Sequence, residues 1–159
     1  MISSSWPLQH AADPDRVRAA SDQRLNQKID RETERRLARA ASEDGVRLSD
    51  RIEDVGREWN TDRFIEAEAA ITGITGLALA AAVDLRFLAM PGVATAMLFL
   101  HATHGWYPLL PLFRRLGVRS QDEIDREYYA LKALRGDFNE VTNAAGEASA
   151  RAAWKAVLL

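Results

Sequence analysis

From Ala69 to Phe113 the chain carries only two charged residues, Asp84 and Arg86, and they divide 45 residues into two apolar runs. Ala69–Val83 is free of charge for 15 residues and Phe87–Phe113 for 27. A helix that crosses a bilayer needs about 20 mostly apolar residues, with shorter ones tolerated through snorkelling and local thinning. The second run meets that length and the first is short. Two such runs joined by a polar break form the pattern of a membrane helical hairpin, with spans expected at about 67–83 and 88–106.

The charges fall almost entirely on the flanks. Residues 1–68 hold 12 Lys/Arg and 15 Asp/Glu, and residues 114–159 hold 8 and 7. Neither arm has the concentrated basic footprint that phosphate binding needs, so nucleic acid is not expected as a partner. The absence of cysteine excludes disulfides, thiolate catalysis and cysteine-built zinc or iron–sulfur sites. Met1–His10 lacks the basic start and apolar core of an export signal, which leaves the hairpin itself to direct insertion. The expected organisation is all-α: a charged helical N-terminal arm over 1–62, the hairpin over 63–117 and a helical C-terminal arm over 118–159.

In the N-terminal arm, Val17, Leu25, Ile29 and Leu37 give a thin apolar stripe of helical period, predicting one solvated helix over Asp13–Ala41. Asp13-Pro14 is a suitable start and Gly45 a suitable interruption. A second amphipathic helix is expected from Ser49, running through Ile52, Val55, Trp59 and Phe64 into the first span. In the C-terminal arm Ser120-Gln121-Asp122-Glu123 is a capping-box pattern and Gly136 a left-handed stop. Ile124, Tyr128, Leu131 and Leu134 should line one side of that helix. The alanine-rich tail predicts a short amphipathic helix carrying Ala150, Ala153, Trp154, Val157 and Leu158, returning to the membrane surface.

Within the hairpin, Thr72, Gly76 and Ala80 form a small-residue ridge at four-residue spacing, and Ala69 and Gly73 begin a second. Such ridges let helix backbones approach where lipid supplies no hydrophobic drive, so these residues are expected to pack against the second span or another copy. Asp84-Leu85-Arg86-Phe87 should make the turn, with Pro91 in the first turn of the second helix. Trp59, Phe64, Trp106 and Tyr107 stand where interfacial anchors belong. Arg57, Arg63, Arg114, Arg115 and Arg119 flank the open end, whereas the turn has only Arg86, so both termini are expected to be cytoplasmic.

Three residues near the open end carry possible chemistry. His101 and His104 lie three apart on one helix face, and a turn centred near residue 87 would bring His104 level with Ala70, close to Glu68. Two imidazoles and a carboxylate can hold a transition metal or relay a proton, against the plainer reading of hydrogen bonds across the hairpin. Glu66 and Glu68, two apart, point to different sides of a helix and imply no acid–base pair. Arg135-Gly136-Asp137 spells an adhesion tripeptide, but its glycine falls at a helix stop. There is no Gly-rich phosphate loop, nucleophile elbow or HExxH pattern. No catalytic residue, cofactor or enzyme activity is expected.

Thr61-Asp62-Arg63-Phe64, the stretch from Gly73 to Leu79, and Gly105-Trp106-Tyr107-Pro108 through Leu116-Gly117 resemble the YgaP-like transmembrane domain family of bacterial inner-membrane proteins. The string from Leu112 to Arg119, continued by Ala130 to Phe138, resembles a proteobacterial branch with charged arms. The resemblance covers roughly residues 50–138. It implies a two-helix membrane hairpin, inner-membrane anchoring and self-association. The family commonly has Cys-Pro where this chain has Tyr107-Pro108, so no thiol role carries over. Three functional expectations result. The first is a non-enzymatic anchor or scaffold in the lipid bilayer, homo-oligomeric through Gly73 and Gly76, with arms free to meet a protein partner. The others are a metal or proton site at His101, His104 and Glu68, and a soluble helical bundle that buries the apolar pair in its core.

Overall fold

The computed structural model describes residues 15–141 and 146–158 of the chain. The proposed cap at Asp13-Pro14 and the N-terminal decapeptide lie outside the described residues. Among the described residues all regular structure is helical: α1 (Arg16–Ala19), α2 (Gln23–Ala40), α3 (Gly45–Gly56), α4 (Thr61–Ala82), a 3-10 turn (Leu85–Leu88), α5 (Ala89–His104), α6 (Leu110–Arg115), α7 (Gln121–Arg135) and α8 (Glu147–Leu158). These elements form two compact units, one holding the described residues up to Asn26 with Thr61–Leu116, the other Gln27–Asn60 with the described residues from Gly117 onward.

The first unit is built on the α4/α5 hairpin. The 22 residues of α4 extend about 33 Å at 1.5 Å per residue, and the 16 of α5 about 24 Å. Runs of Ala, Ile and Leu make both good helices, and neither is strongly one-sided. After Ala82 the helix stops, and the Asp84 side chain caps the 3-10 turn by accepting from the Arg86 N–H. Pro91 sits in the first turn of α5, where a missing N–H costs no intrahelical bond. α5 ends at Gly105, whose φ of 72° is left-handed and whose N–H returns to the His101 carbonyl.

Two glycines in this unit are required by close approach. A Cβ on Gly76 would lie 2.6 Å from Pro91 Cδ and 2.7 Å from Met90 Cβ, so α4 and the start of α5 touch through bare backbone. A Cβ on Gly105 would lie 2.5 Å from the Arg16 carbonyl oxygen, which seats α1 on the end of α5. The unit's core is Val17, Ile65, Tyr107 and Leu110, with Met97, Leu98 and Phe113 against it.

In the second unit α3 packs along α7. Ala40, Leu48, Ile52 and Leu131 are buried together, with Leu37, Val55 and Tyr128 beside them. Each of the larger side chains contributes about 1.5–3 kcal/mol as an upper bound. Local signals fix the ends of these helices. Asp44 caps α3, the Ser120 hydroxyl and Glu123 carboxylate form a reciprocal capping box on α7, and Gly136 closes α7 with φ 93°. Arg135 reaches over Gly136 to Asp137 at 2.7 and 2.5 Å, so the tripeptide is an internal ion-pair clasp.

Several boundaries differ from the sequence expectation. The predicted Asp13–Ala41 helix is broken around Ser21-Asp22, where the Asp22 carboxylate accepts from the Arg24 N–H. Gly45 opens α3 rather than interrupting its predecessor, and Ser49 lies inside α3 with its hydroxyl bonded back to the Gly45 carbonyl. α3 does not run into the hairpin, because it ends at Gly56 and Arg57–Asn60 is not helical. The hairpin helix begins at Thr61, six residues before the expected 67. Leu134 is 45% exposed and does not join the buried side of α7.

Candidate functional site

The helical spacing of α4 and the end of α5 place Asp62, Glu68, Thr72 and His101 at the open end of the hairpin, where Tyr107 joins them from the segment after α5. His101 is buried and its Nε2 lies 2.8 Å from Asp62 Oδ1, with Nδ1 3.3 Å from the Gly105 carbonyl oxygen. Nearly two turns further along α4, Glu68 accepts from the Tyr107 hydroxyl through one oxygen and from the Thr72 hydroxyl, at 2.8 Å, through the other. The His101 and Tyr107 rings meet edge to face with centroids 6.1 Å apart. Arg16 donates to the Ala102 carbonyl. The polar groups are thereby hydrogen-bonded to one another, and two side-chain pairs join α4 to α5 and its C-terminal continuation.

The structure does not assemble His101, His104 and Glu68 into one site. Asp62 meets His101 and Gly76 meets Met90 and Pro91, so the pivot of the hairpin falls at the end of α4 rather than at residue 87. His101 is consequently carried to Asp62, Glu68 is engaged by Tyr107 and Thr72, and His104 is exposed against the Thr103 hydroxyl at 2.7 Å. Among the described residues no group of three or more His, Cys, Asp or Glu side chains is arranged to hold a metal ion.

The small residues divide by environment. Gly76 and Ala80 are buried, with Gly76 against the start of α5. Thr72 is half-buried and hydrogen-bonded to Glu68, whereas a Cβ on Gly73 would meet nothing within 4 Å. The aromatic residues divide likewise. Trp59 and Trp106 are each 47% exposed, Phe64 stacks obliquely on Phe113 at 5.8 Å, and Tyr107 is only 4% exposed. Tyr107 is therefore a core residue with a satisfied hydroxyl, not an exposed anchor.

Around the hairpin the outer surface is apolar. Ile71, Ile74, Leu77, Val83, Leu85 and Phe99 are each at least 55% exposed. Two helical stretches are long and apolar enough to cross a membrane, yet only 22% and 11% of their apolar windows are buried.

The second unit contains a charged network that the sequence did not reveal. Arg36 donates to both Glu127 oxygens, through Nε at 2.8 and 3.1 Å. Arg119 joins the same carboxylate and pairs with Glu58 through Nε at 2.8 Å. Glu127 and Arg119 are buried, and the network borders a cavity of about 270 Å³ with Ile29, Val55 and Leu131 among its apolar lining. Burial alone would push the Glu127 carboxyl up, but hydrogen bonds from Arg36 and the charges of Arg119 and Arg36 outweigh it and hold it below the usual carboxylate range. Burial opposes the Arg119 charge as well, and Glu58 and Glu127 reverse that and hold it above its ordinary value. The available signal was Glu127 standing in the Ile124 and Leu131 stripe. Its partners lie 91 and 8 residues away, beyond any local pattern.

No family model, curated protein or solved structure matches this chain.

Proposed function

We propose that this chain is a non-enzymatic integral protein of a bacterial inner membrane, in which the α4/α5 hairpin anchors a cytoplasmic helical module that serves as a scaffold. The observation that carries this reading is the exposure of the hairpin. A core helix of a water-soluble protein buries most of its apolar length, whereas these two bury 22% and 11% of theirs. Lipid is the solvent in which such a surface is stable, because a helix pairs the backbone groups of its interior within itself. With the Glu68 charge engaged by Tyr107 and Thr72, the apolar stretch of α4 extends from Ala67, just past the exposed Glu66, to Ala82, about 24 Å. From Phe87, past the exposed Arg86, the end of the 3-10 turn and α5 together span about 28 Å. The second length suits a hydrocarbon core of about 30 Å, and the shorter first is met by snorkelling and local thinning.

The basic residues support both termini being cytoplasmic, and the short-motif resemblance to YgaP-like hairpins supports the inner membrane. Asp62 with His101, and Glu68 with Tyr107, act as latches that hold the open end of the hairpin closed. Gly76 is occupied within the hairpin, so homo-oligomer formation falls to the open Gly73 side. Alkaline carbonate washing of membranes from expressing cells tests the reading. The full-length chain is expected in the pellet, and its release into the supernatant would leave a soluble helical protein instead.

A further inference from the structure

α8 is docked with its faces reversed relative to a solvated helix. Ala156 is 2% exposed and forms its inward contact, while Trp154 and Leu158 are each 66% exposed and Val157 38%. Ala150, Trp154, Val157 and Leu158 recur at i, i+4, i+7 and i+8, so they share one outward stripe. The arrangement is held from inside the second unit: the fully buried Lys132 donates through Nζ to the Val157 carbonyl at 3.0 Å. Beside the stripe stand Arg151 and Lys155, with side chains 76% and 62% exposed. Their nearest carboxylates, Glu147 at 3.6 Å and Glu140 at 3.4 Å, are themselves largely exposed and hold them weakly.

We infer that the outward face of α8 docks on the surface of an anionic bilayer leaflet. An outward Trp, Val and Leu stripe costs free energy in water, and a helix free to turn would bury it and expose alanine. A tryptophan on an apolar face bordered by cations is the composition of a helix lying at headgroup depth, its apolar side about 5–10 Å into the interface. Arg151 and Lys155 match anionic headgroups in charge. This inference rests on the membrane reading above, which supplies the bilayer through the same chain.

The absence of cysteine makes single-site probes clean. Three single-cysteine variants of the full chain, Ala150→Cys, Arg126→Cys on the exposed side of α7 and Phe99→Cys on α5, are labelled with bimane. They are reconstituted in vesicles of phosphatidylcholine with phosphatidylglycerol carrying shallow or deep nitroxide lipids. Shallow nitroxides are expected to quench the label at 150 and spare the one at 126, while deep nitroxides quench the one at 99. Adding Trp154→Ser and Leu158→Ser to Ala150→Cys should remove the shallow quenching. Adding Arg151→Gln and Lys155→Gln should lower the docked-to-free ratio by up to about fivefold per charge. Quenching at 99 with none at 150 would overturn the inference and leave the membrane reading standing. No quenching at either site would overturn the membrane reading itself. Oxidative cross-linking of Ala150→Cys between copies, without quenching, would assign the stripe to a second copy and overturn lipid docking.

Discussion

His101 Nε2 lies 2.8 Å from Asp62 Oδ1, joining the last turn of α5 to the first turn of α4. The Asp62 side chain is 48% exposed, so the bond is partly screened. A double-mutant cycle of Asp62→Ala and His101→Ala in detergent-solubilised full chain should give a coupling of about 1 kcal/mol. A coupling near zero in the detergent-unfolding midpoints would remove the latch role.

Gly76 and Gly73 should behave differently although they lie one turn apart. Gly76→Ala places its Cβ 2.6 Å from Pro91 Cδ, and the strain should cost about 1–3 kcal/mol. Gly73→Leu meets open space and should leave hairpin stability within about 0.5 kcal/mol. Sedimentation of Gly73→Leu then reads self-association without damage to the hairpin, and an unchanged oligomer size would exclude that face as its interface.

The Gly76 contact shows what the sequence made legible and what it hid. Charge-free length, Pro91, the Ser120 and Glu123 capping box and the Gly136 stop are all local, and the last three fall where their chemistry predicts, whereas of the small residues Gly76 is packed and Gly73 faces open space. The pivot of the hairpin was not local. The 3-10 turn and the contact of Gly76 with Met90 and Pro91 set the register, which sent His101 to Asp62 and separated it from Glu68. Tyr107 read as a boundary aromatic because its sequence neighbours suit one. Only the fold shows Glu68 receiving its hydroxyl. The break at Arg57–Asn60 was hidden as well: Ile52, Val55 and Trp59 keep a helical period, but Gly56, packed near the Tyr128 ring, is the last residue of the helix.

Glu127 ties Arg36 and Arg119 together inside the second unit. Glu127→Ala leaves the buried Arg119 with Glu58 as its remaining carboxylate and should cost about 1–3 kcal/mol. Hydrogen exchange of α3 and α7 amides in the full chain measures it, and exchange unchanged from the parent would contradict a structural role.

The same carboxylate sets an acid limit. Its folded pKa lies below the ordinary value of 4.5, so its contribution is complete above pH 4.5 and is lost as pH falls through the folded value. Protection of α7 should therefore decline below pH 4.5 more steeply in the parent than in Glu127→Gln. Parallel declines would show that other groups govern acid sensitivity.

Lys132 is fully buried, and desolvation holds its ammonium below the ordinary lysine range despite the nearby Asp137. Lys132→Met removes the bond to the Val157 carbonyl, and amides of α8 should exchange faster while those of α3 keep their protection. Equal rates in α8 would contradict its role in seating that helix.

The central claim is that α4 and α5 cross a bilayer with the charged arms on the cytoplasmic side. Single cysteines at Arg86, in the exposed turn, and at Ser42, exposed in the second unit, test it with a membrane-impermeant maleimide on intact spheroplasts. Arg86→Cys is predicted to label before lysis and Ser42→Cys only after it. Protection of both until lysis, or labelling of both before it, would contradict the account.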